Sequence, residues 1–279
     1  VVMWSYSKLS VGELFAGALL PGVLLGLLYA AYVFIIALLR PDMAPAVEPE
    51  EQVSRQELWK MLAVEALPPL LLIFGVLGSL LAGIATATEV SAIGVVLALA
   101  IVIARRRFEW STFFSALTET ARTSAMILFI VIGATAFTGV FNITGGLRAA
   151  QDLMRALDAE PWLLITLMMT IVFILGMFLD WTGIVLLSFP IFLPVVQEMG
   201  IDQLWFVILM AVVLQTSFLT PPFGYALFYM RALTPAHIKT SQIIIGVIPF
   251  IGLIIVASLL LAAFPSLATW LPSQLYGTK

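Results

Sequence analysis

Residues 162–196, WLLITLMMTIVFILGMFLDWTGIVLLSFPIFLPVV, are uncharged except for Asp180, which stands near the midpoint in Gly176-Met177-Phe178-Leu179-Asp180-Trp181-Thr182-Gly183. Each flank is one short helix long: about 13 to 18 residues rise roughly 20 to 27 Å. That is less than the ~30 Å hydrocarbon core of a bilayer. The region therefore reads as a re-entrant helical hairpin that enters and leaves on one side. Its turn places Asp180 and Thr182 at the start of the second arm, where a carboxylate or hydroxyl caps free backbone N–H groups. An Asp at the bilayer centre costs about 2.5 to 3.5 kcal/mol, so it must face protein, water or an ion. Two readings stay open at this point: a helix cap alone, or a turn that also builds an ion or substrate site. Gly176 and Gly183 permit close backbone approach in either.

The rest of the chain places this hairpin in a membrane. Of 279 residues, 62% are hydrophobic and 10% charged, outside the range of soluble domains. Mean hydropathy is +1.12. The uncharged runs 14–39, 66–88, 123–147, 203–230 and 240–264 each supply the roughly 20 apolar residues a spanning helix needs. Five such runs exclude a signal peptide as their explanation. A shorter run, 90–104, follows Glu89 and is closed by Arg105, Arg106 and Arg107, and is expected to be a sixth helix.

The polar intervals read as loops and interfacial helices. Residues 41–65 carry Pro41, Pro45 and Pro49 and the acidic Glu48, Glu50 and Glu51, then Arg55 and Lys60, an aqueous loop leading into an amphipathic helix. Residues 108–122 set Phe108, Trp110, Phe113, Phe114 and Leu117 among Glu109, Glu119 and Arg122, which suits a helix lying along the membrane surface. The interval 142–160, with Gly145, Gly146, Arg148, Asp152, Arg155, Asp158 and Glu160, also reads as interfacial; Leu147, Leu153, Met154 and Leu157 recur there at near-helical spacing. If the chain starts outside, Arg40, Arg55, Lys60, Arg105, Arg106, Arg107, Arg122, Arg231 and Lys239 face the cytoplasm, and Lys8, Arg148, Arg155 and Lys279 do not. This positive-inside bias holds only if 162–196 enters and leaves on the outer side.

A second interruption, Gln215-Thr216-Ser217-Phe218-Leu219-Thr220-Pro221-Pro222-Phe223-Gly224, lies inside the run 203–230. Two prolines break the helical ladder there. Unwound backbone at membrane depth is tolerated where it is buried in protein or lines a cavity, and freed carbonyls with Thr and Ser hydroxyls suit sodium. A third polar patch, Thr86-Ala87-Thr88-Glu89-Val90-Ser91, has capping-box spacing and reads as a tight turn between two helices. Its other possible role is to support an ion-binding region.

Three motifs, Gly83-Ile84-Ala85-Thr86-Ala87-Thr88-Glu89, Gly176-Met177-Phe178-Leu179-Asp180 and Leu219-Thr220-Pro221-Pro222-Phe223-Gly224, resemble in order and spacing the large permease subunit (DctM-like) of the TRAP, or tripartite ATP-independent periplasmic, transporters. The likeness covers essentially the whole chain. The wording from Gln215 to Tyr229 is most similar to the branch labelled mannitol or chloroaromatic type. The resemblance implies an all-α integral membrane protein of the elevator type, in which a mobile transport domain moves against a scaffold. On that pattern 1–40 is a scaffold helix, 41–65 a cytoplasmic loop and amphipathic helix, and 66–122 scaffold helices with an interfacial arm. Residues 123–239 form the transport domain, with hairpin 162–196 and broken helix 204–230, and 240–279 carry the last membrane helix. Sodium, the coupling ion, is expected between the Asp180 turn and the Thr220-Pro221-Pro222 turn. Gly176, Asp180, Thr182, Thr216, Ser217, Thr220, Pro221 and Pro222 are carried over as the sodium and substrate region, with Thr86, Thr88 and Glu89 as a structural turn. The implied partners are a small TRAP membrane subunit, a periplasmic substrate-binding protein and an organic carboxylate; the implied location is the bacterial inner membrane.

In the family an earlier, inverted half carries its own hairpin and double-proline break, and no upstream copy of either motif occurs here. Val1 to Ser10 resemble the exit of that missing broken helix. The sequence is thus expected to be a C-terminal portion, either a partial record or a piece split from a partner chain, inactive alone. Other classes find less support. There is no Cys, no His-Glu-x-x-His or Gly-x-Ser-x-Gly motif and no Walker-type loop, which argues against an intramembrane enzyme or nucleotide hydrolysis; no cofactor is expected. The lone His237 falls in a polar loop, and the formal charge of -3 gives nucleic acid no purchase. A non-transporting scaffold or channel subunit stays as the alternative.

Overall fold

The computed structural model describes residues 9–41, 54–146, 148–149, 152, 160–222, 224–235 and 238–277. Pro45, Pro49 and the Glu48–Glu51 cluster, most of the apolar residues of 142–160, Phe223 and His237 lie outside the described residues. Among those described, every regular element is a helix.

The helices are α1 (Val11–Leu39), α2 (Arg55–Met61), α3 (Leu67–Leu81), α4 (Ala87–Ala104), α5 (Trp110–Ile143), α6 (Pro161–Gly176), α7 (Trp181–Glu198), α8 (Gln203–Leu214), α9 (Tyr225–Leu233), α10 (Thr240–Ala263) and α11 (Ser266–Tyr276). A π-helical turn, Leu62–Ala66, joins α2 to α3, and a 3₁₀ turn, Gln215–Phe218, follows α8. Six helical segments are long and apolar enough to cross a bilayer: Val11–Leu39, Arg55–Leu81, Ala87–Ala104, Trp110–Ile143, Trp181–Glu198 and Thr240–Ala263. The short run 90–104 is thus one of them.

Two compact units make up the chain: Tyr29–Ala121, and Val1–Leu28 with Arg122–Lys279. In the first, α3 and α4 pack as an antiparallel pair. Gly75 and Gly94 bring them together: a β-carbon on Gly94 would lie 3.2 Å from Val76 Cγ2. Small residues let helix axes approach where burial gives no hydrophobic gain. The turn between them is capped as its spacing requires. Thr86 N donates to Glu89 Oε2 at 2.8 Å, and Glu89 N to Thr86 Oγ1 at 3.4 Å. Arg105, at the far end of α4, pairs with Glu65 at 3.1 Å and also donates to the carbonyl of Val64 in the π-helical turn.

In the second unit, α8 is the core. Leu204 through Met210 and Val212 through Leu214 are all buried, so the helix is enclosed on every side by α6, α7, α10 and α11. Trp205 Nε1 donates to the Leu261 carbonyl of α10 at 2.8 Å, satisfying the one polar atom of a buried indole. The start of α1 packs here too, with Gly17 against Ile208 and the Ala268 carbonyl.

Three expectations change. Residues 108–122 are not a separate interfacial helix: they lead into and form the start of α5, a single helix of 34 residues. At 1.5 Å per residue it is about 51 Å long, well beyond a ~30 Å hydrocarbon core. The helix runs unbroken through the polar Glu119 and Arg122. Likewise, the amphipathic stretch after residue 54 runs on through the π-helical turn into the membrane helix. The C-terminal region holds a second helix, α11, beyond the break at Phe264 and Pro265.

Candidate functional site

Two features meet in the second unit: a helical hairpin and a broken helix. The hairpin is α6 and α7, of 16 and 18 residues, joined by the turn Met177–Asp180. Asp180 caps α7 with extended backbone, and its Oδ2 accepts from Thr182 N at 3.0 Å. The capping reading of Asp180 is therefore correct as far as it goes. Thr182 is buried, whereas Asp180 is only half-buried, so its carboxylate keeps contact with the surroundings of the turn. Gly183 belongs to this cap, since a β-carbon there would come within 3.2 Å of Asp180 Oδ1.

The break in the second helix falls where the prolines require it. After α8 the chain tightens into Gln215–Phe218, turns at Leu219–Pro222 and resumes as α9 at Tyr225. Pro221 and Pro222 have no N–H to give, so the carbonyls of Ser217 and Phe218, four residues back, lose their helical donors. The carbonyl of Thr216 is saturated instead: it accepts from Leu219 N at 3.0 Å, from Thr220 N at 2.9 Å and from the Thr220 hydroxyl. Thr216 Oγ1 donates to the Val213 carbonyl and Ser217 Oγ to the Leu214 carbonyl, each at 2.7 Å. All three hydroxyls thus spend their protons on their own helix and keep only oxygen lone pairs to offer. Thr216, Ser217 and Thr220 are buried. Buried oxygens without protons to offer are suited to a hard cation.

The two features pack together, and the first hairpin arm reaches the break itself. A β-carbon on Gly176 would lie 3.1 Å from Ser217 Cβ and 3.4 Å from Ser217 Cα, so the end of the first hairpin arm rests directly on the backbone of the 3₁₀ turn. This joins Gly176, Ser217 and, through it, Thr216 and Thr220. It does not join Asp180 to Pro221 or Pro222 by any hydrogen bond among the described residues: the carboxylate's bond goes to Thr182. The hairpin end thus meets the break through Gly176, the close backbone approach that its glycine allows, with Ser217 as the partner.

Thr86, Thr88 and Glu89 lie in the other unit. Thr86 and Glu89 are used in the capping box, and the Thr88 carbonyl accepts from Ser91 Oγ at 2.6 Å. They form the structural turn that their spacing implies.

A cavity of about 290 Å3 lies between α6, α8 and α10, with Met169, Phe173, Leu209 and Ile254 in its walls and Thr216 at one side. Its other hydroxyls, Thr166, Thr170 and Ser258, all donate to carbonyls one turn earlier. The lining offers no charged side chain and no uncommitted hydroxyl proton, so it is an apolar space rather than a carboxylate site.

Together these features define a multi-pass, all-helical membrane protein in which a helical hairpin is seated on an unwound helix. The chain belongs to the DctM component family of the tripartite ATP-independent periplasmic transporters, whose family model matches residues 1–267. It is 29% identical over 99% of its length to the C4-dicarboxylate TRAP transporter large permease protein DctM of Pseudomonas aeruginosa. It is 27% identical over 99% of its length to the sialic acid large permease protein SiaM of Vibrio cholerae, and 28% identical over 96% to the isethionate permease protein DctMQ of Oleidesulfovibrio alaskensis. The chain spans 63% of the length of the first two relatives and 41% of the third. The family is one of transporter components, which sets the intramembrane-enzyme alternative aside.

Proposed function

We propose that this chain forms part of the membrane permease of a sodium-coupled, binding-protein-dependent secondary carrier that imports an organic carboxylate across the bacterial inner membrane. Family membership supports the class. The single observation that carries the coupling is the seat of Gly176 on Ser217, because it sets a hairpin end against the turn where Pro221 and Pro222 release two carbonyls. On this reading sodium is held there by the carbonyl oxygens of Ser217 and Phe218 and by the hydroxyl oxygens of Ser217 and Thr220. The saturated Thr216 carbonyl is excluded from that set.

Asp180, half-buried four residues on from Gly176, has one carboxylate oxygen engaged in the cap, and on this reading the other balances the cation's charge. The hairpin and broken helix move together as the core of an elevator-type transport domain, 123–239, while the partners are a small TRAP membrane subunit and a periplasmic substrate-binding protein. The relatives' names specify C4-dicarboxylate, sialic acid and isethionate for those proteins. They favour an organic acid here, and the mannitol or chloroaromatic label of the Gln215–Tyr229 wording adds no substrate of its own.

The test is uptake by the complete permease reconstituted with its small subunit and binding protein. An imposed inward sodium gradient is expected to drive accumulation of the carboxylate. Equal uptake without the gradient would reject coupling and leave the chain as part of a channel or scaffold.

A further inference from the structure

Among the described residues, three helices end in the same turn. In each, the N–H three residues past the helix reaches back five residues and the residue before it takes a left-handed conformation: Ile84 N to Ser79 O at 3.1 Å around Gly83 (φ 67), Ile201 N to Val196 O at 3.1 Å around Gly200 (φ 67), and Arg107 N to Val102 O at 3.1 Å around Arg106 (φ 55). Glycine is the usual occupant because a β-carbon disfavours that conformation. The chain uses glycine twice and arginine once. Arg106 is the one described non-glycine residue at positive φ. Local strain of this kind persists where the side chain has a use.

The surroundings of Arg106 indicate that use. Of the three adjacent arginines, Arg105 is taken up by Glu65 and the Val64 carbonyl. The side chains of Arg106 and Arg107 are exposed and make no hydrogen bond or ion pair among the described residues. The nearest acid in sequence, Glu109, accepts from the Thr112 hydroxyl at 3.3 Å. Beside them four rings pack on one another: Phe108 and Trp110 at 5.2 Å edge to face, Trp110 and Phe113 at 5.9 Å, Phe113 and Phe114 at 5.9 Å. Trp110 is 66% and Phe114 60% exposed. The corner joins the end of α4 to the start of α5, both long and apolar enough to span. Two exposed guanidinium groups next in sequence to an exposed aromatic cluster, at the end of a helix long and apolar enough to span, have the chemistry that meets a bilayer headgroup region.

We infer that Arg106 and Arg107, with Trp110 and Phe114, form a binding site for an anionic phospholipid headgroup. The guanidinium groups take the phosphate oxygens, and the rings lie at the glycerol level with their apolar edges toward the acyl chains. The site is independent of sodium coupling and of the Gly176–Ser217 contact.

The test is native mass spectrometry of the full chain exchanged from mixed phosphatidylglycerol and phosphatidylcholine micelles, comparing wild type with Arg106→Gly and the double variant Arg106→Gly/Arg107→Gln. Glycine relieves the left-handed residue, so Arg106→Gly is expected to unfold at no lower temperature than wild type. Each arginine removed is expected to cut the preference for phosphatidylglycerol about fivefold, corresponding to about 1 kcal/mol per charge at an anionic surface. A wild-type chain with no preference, or a double variant that keeps the full preference, would overturn the inference.

Discussion

Gly176 and Ser217 are in backbone contact, the end of a hairpin arm against the first turn of a helix break, with 3.1 Å from a would-be β-carbon at 176 to Ser217 Cβ. On the proposed function, that contact is what joins the two interrupted helices into one sodium region.

Gly176→Ala adds a methyl tighter than nearly any natural contact, and is expected to destabilise the protein by about 1 to 3 kcal/mol through overpacking. The strain is specific to Ser217 Cβ. Ser217→Gly in the same chain removes that atom, and thermal unfolding of the double variant is expected to show less loss than the sum of the single changes. Strict additivity would mean that the two residues are not coupled.

Asp180→Asn keeps a side-chain oxygen for Thr182 N, whereas Asp180→Ala removes the cap at a cost of about 1 kcal/mol. Thermal unfolding is therefore expected to separate Ala from Asn. Sodium dependence of uptake is expected to fall in both, because both lack the charge. Wild-type sodium dependence in the Asn variant would reduce Asp180 to its capping role.

Pro221→Ala returns an N–H opposite the Ser217 carbonyl and gives that oxygen a partner within the helix. The sodium concentration for half-maximal uptake is expected to rise about tenfold, with protein level and unfolding temperature little changed. The same half-maximal concentration in the variant would remove Ser217 O from the proposed ligands.

Thr86→Ala removes half of the capping box between α3 and α4 and is expected to cost about 1 kcal/mol of stability, read by thermal unfolding. Sodium dependence of uptake is expected to stay at the wild-type value, since this turn is structural.

Much of this organisation is legible in the sequence because it follows from covalent chemistry. Pro221 and Pro222 withdraw two successive N–H donors beside the polar Gln215-Thr216-Ser217 run, Thr86 and Glu89 sit three apart as a capping box requires, and Asp180 two residues before Thr182 opens a helix. The hairpin 162–196 with its turn around Gly176–Gly183, and a helix entering the break from residue 204, are likewise legible in the uncharged runs, though not that this helix is the buried core. What stayed hidden depends on tertiary packing or on helix continuity. Glu119 and Arg122 look like a boundary, yet α5 passes through them because its backbone bonds are satisfied internally whatever the side chains face. The pairing of Gly176 with Ser217 has no local signature, since a glycine near a helix end fits a turn equally well. Arg106 in a glycine's conformation is equally silent: the sequence there shows three arginines and nothing of their dihedral angles.

The most direct measurement follows radiolabelled sodium and radiolabelled carboxylate together in proteoliposomes holding the complete permease, its small subunit and binding protein. If the turn seated on Gly176 couples the two, sodium enters with the carboxylate in a fixed ratio, and that ratio is lost in Pro221→Ala. Carboxylate accumulation with no accompanying sodium entry would contradict the central claim.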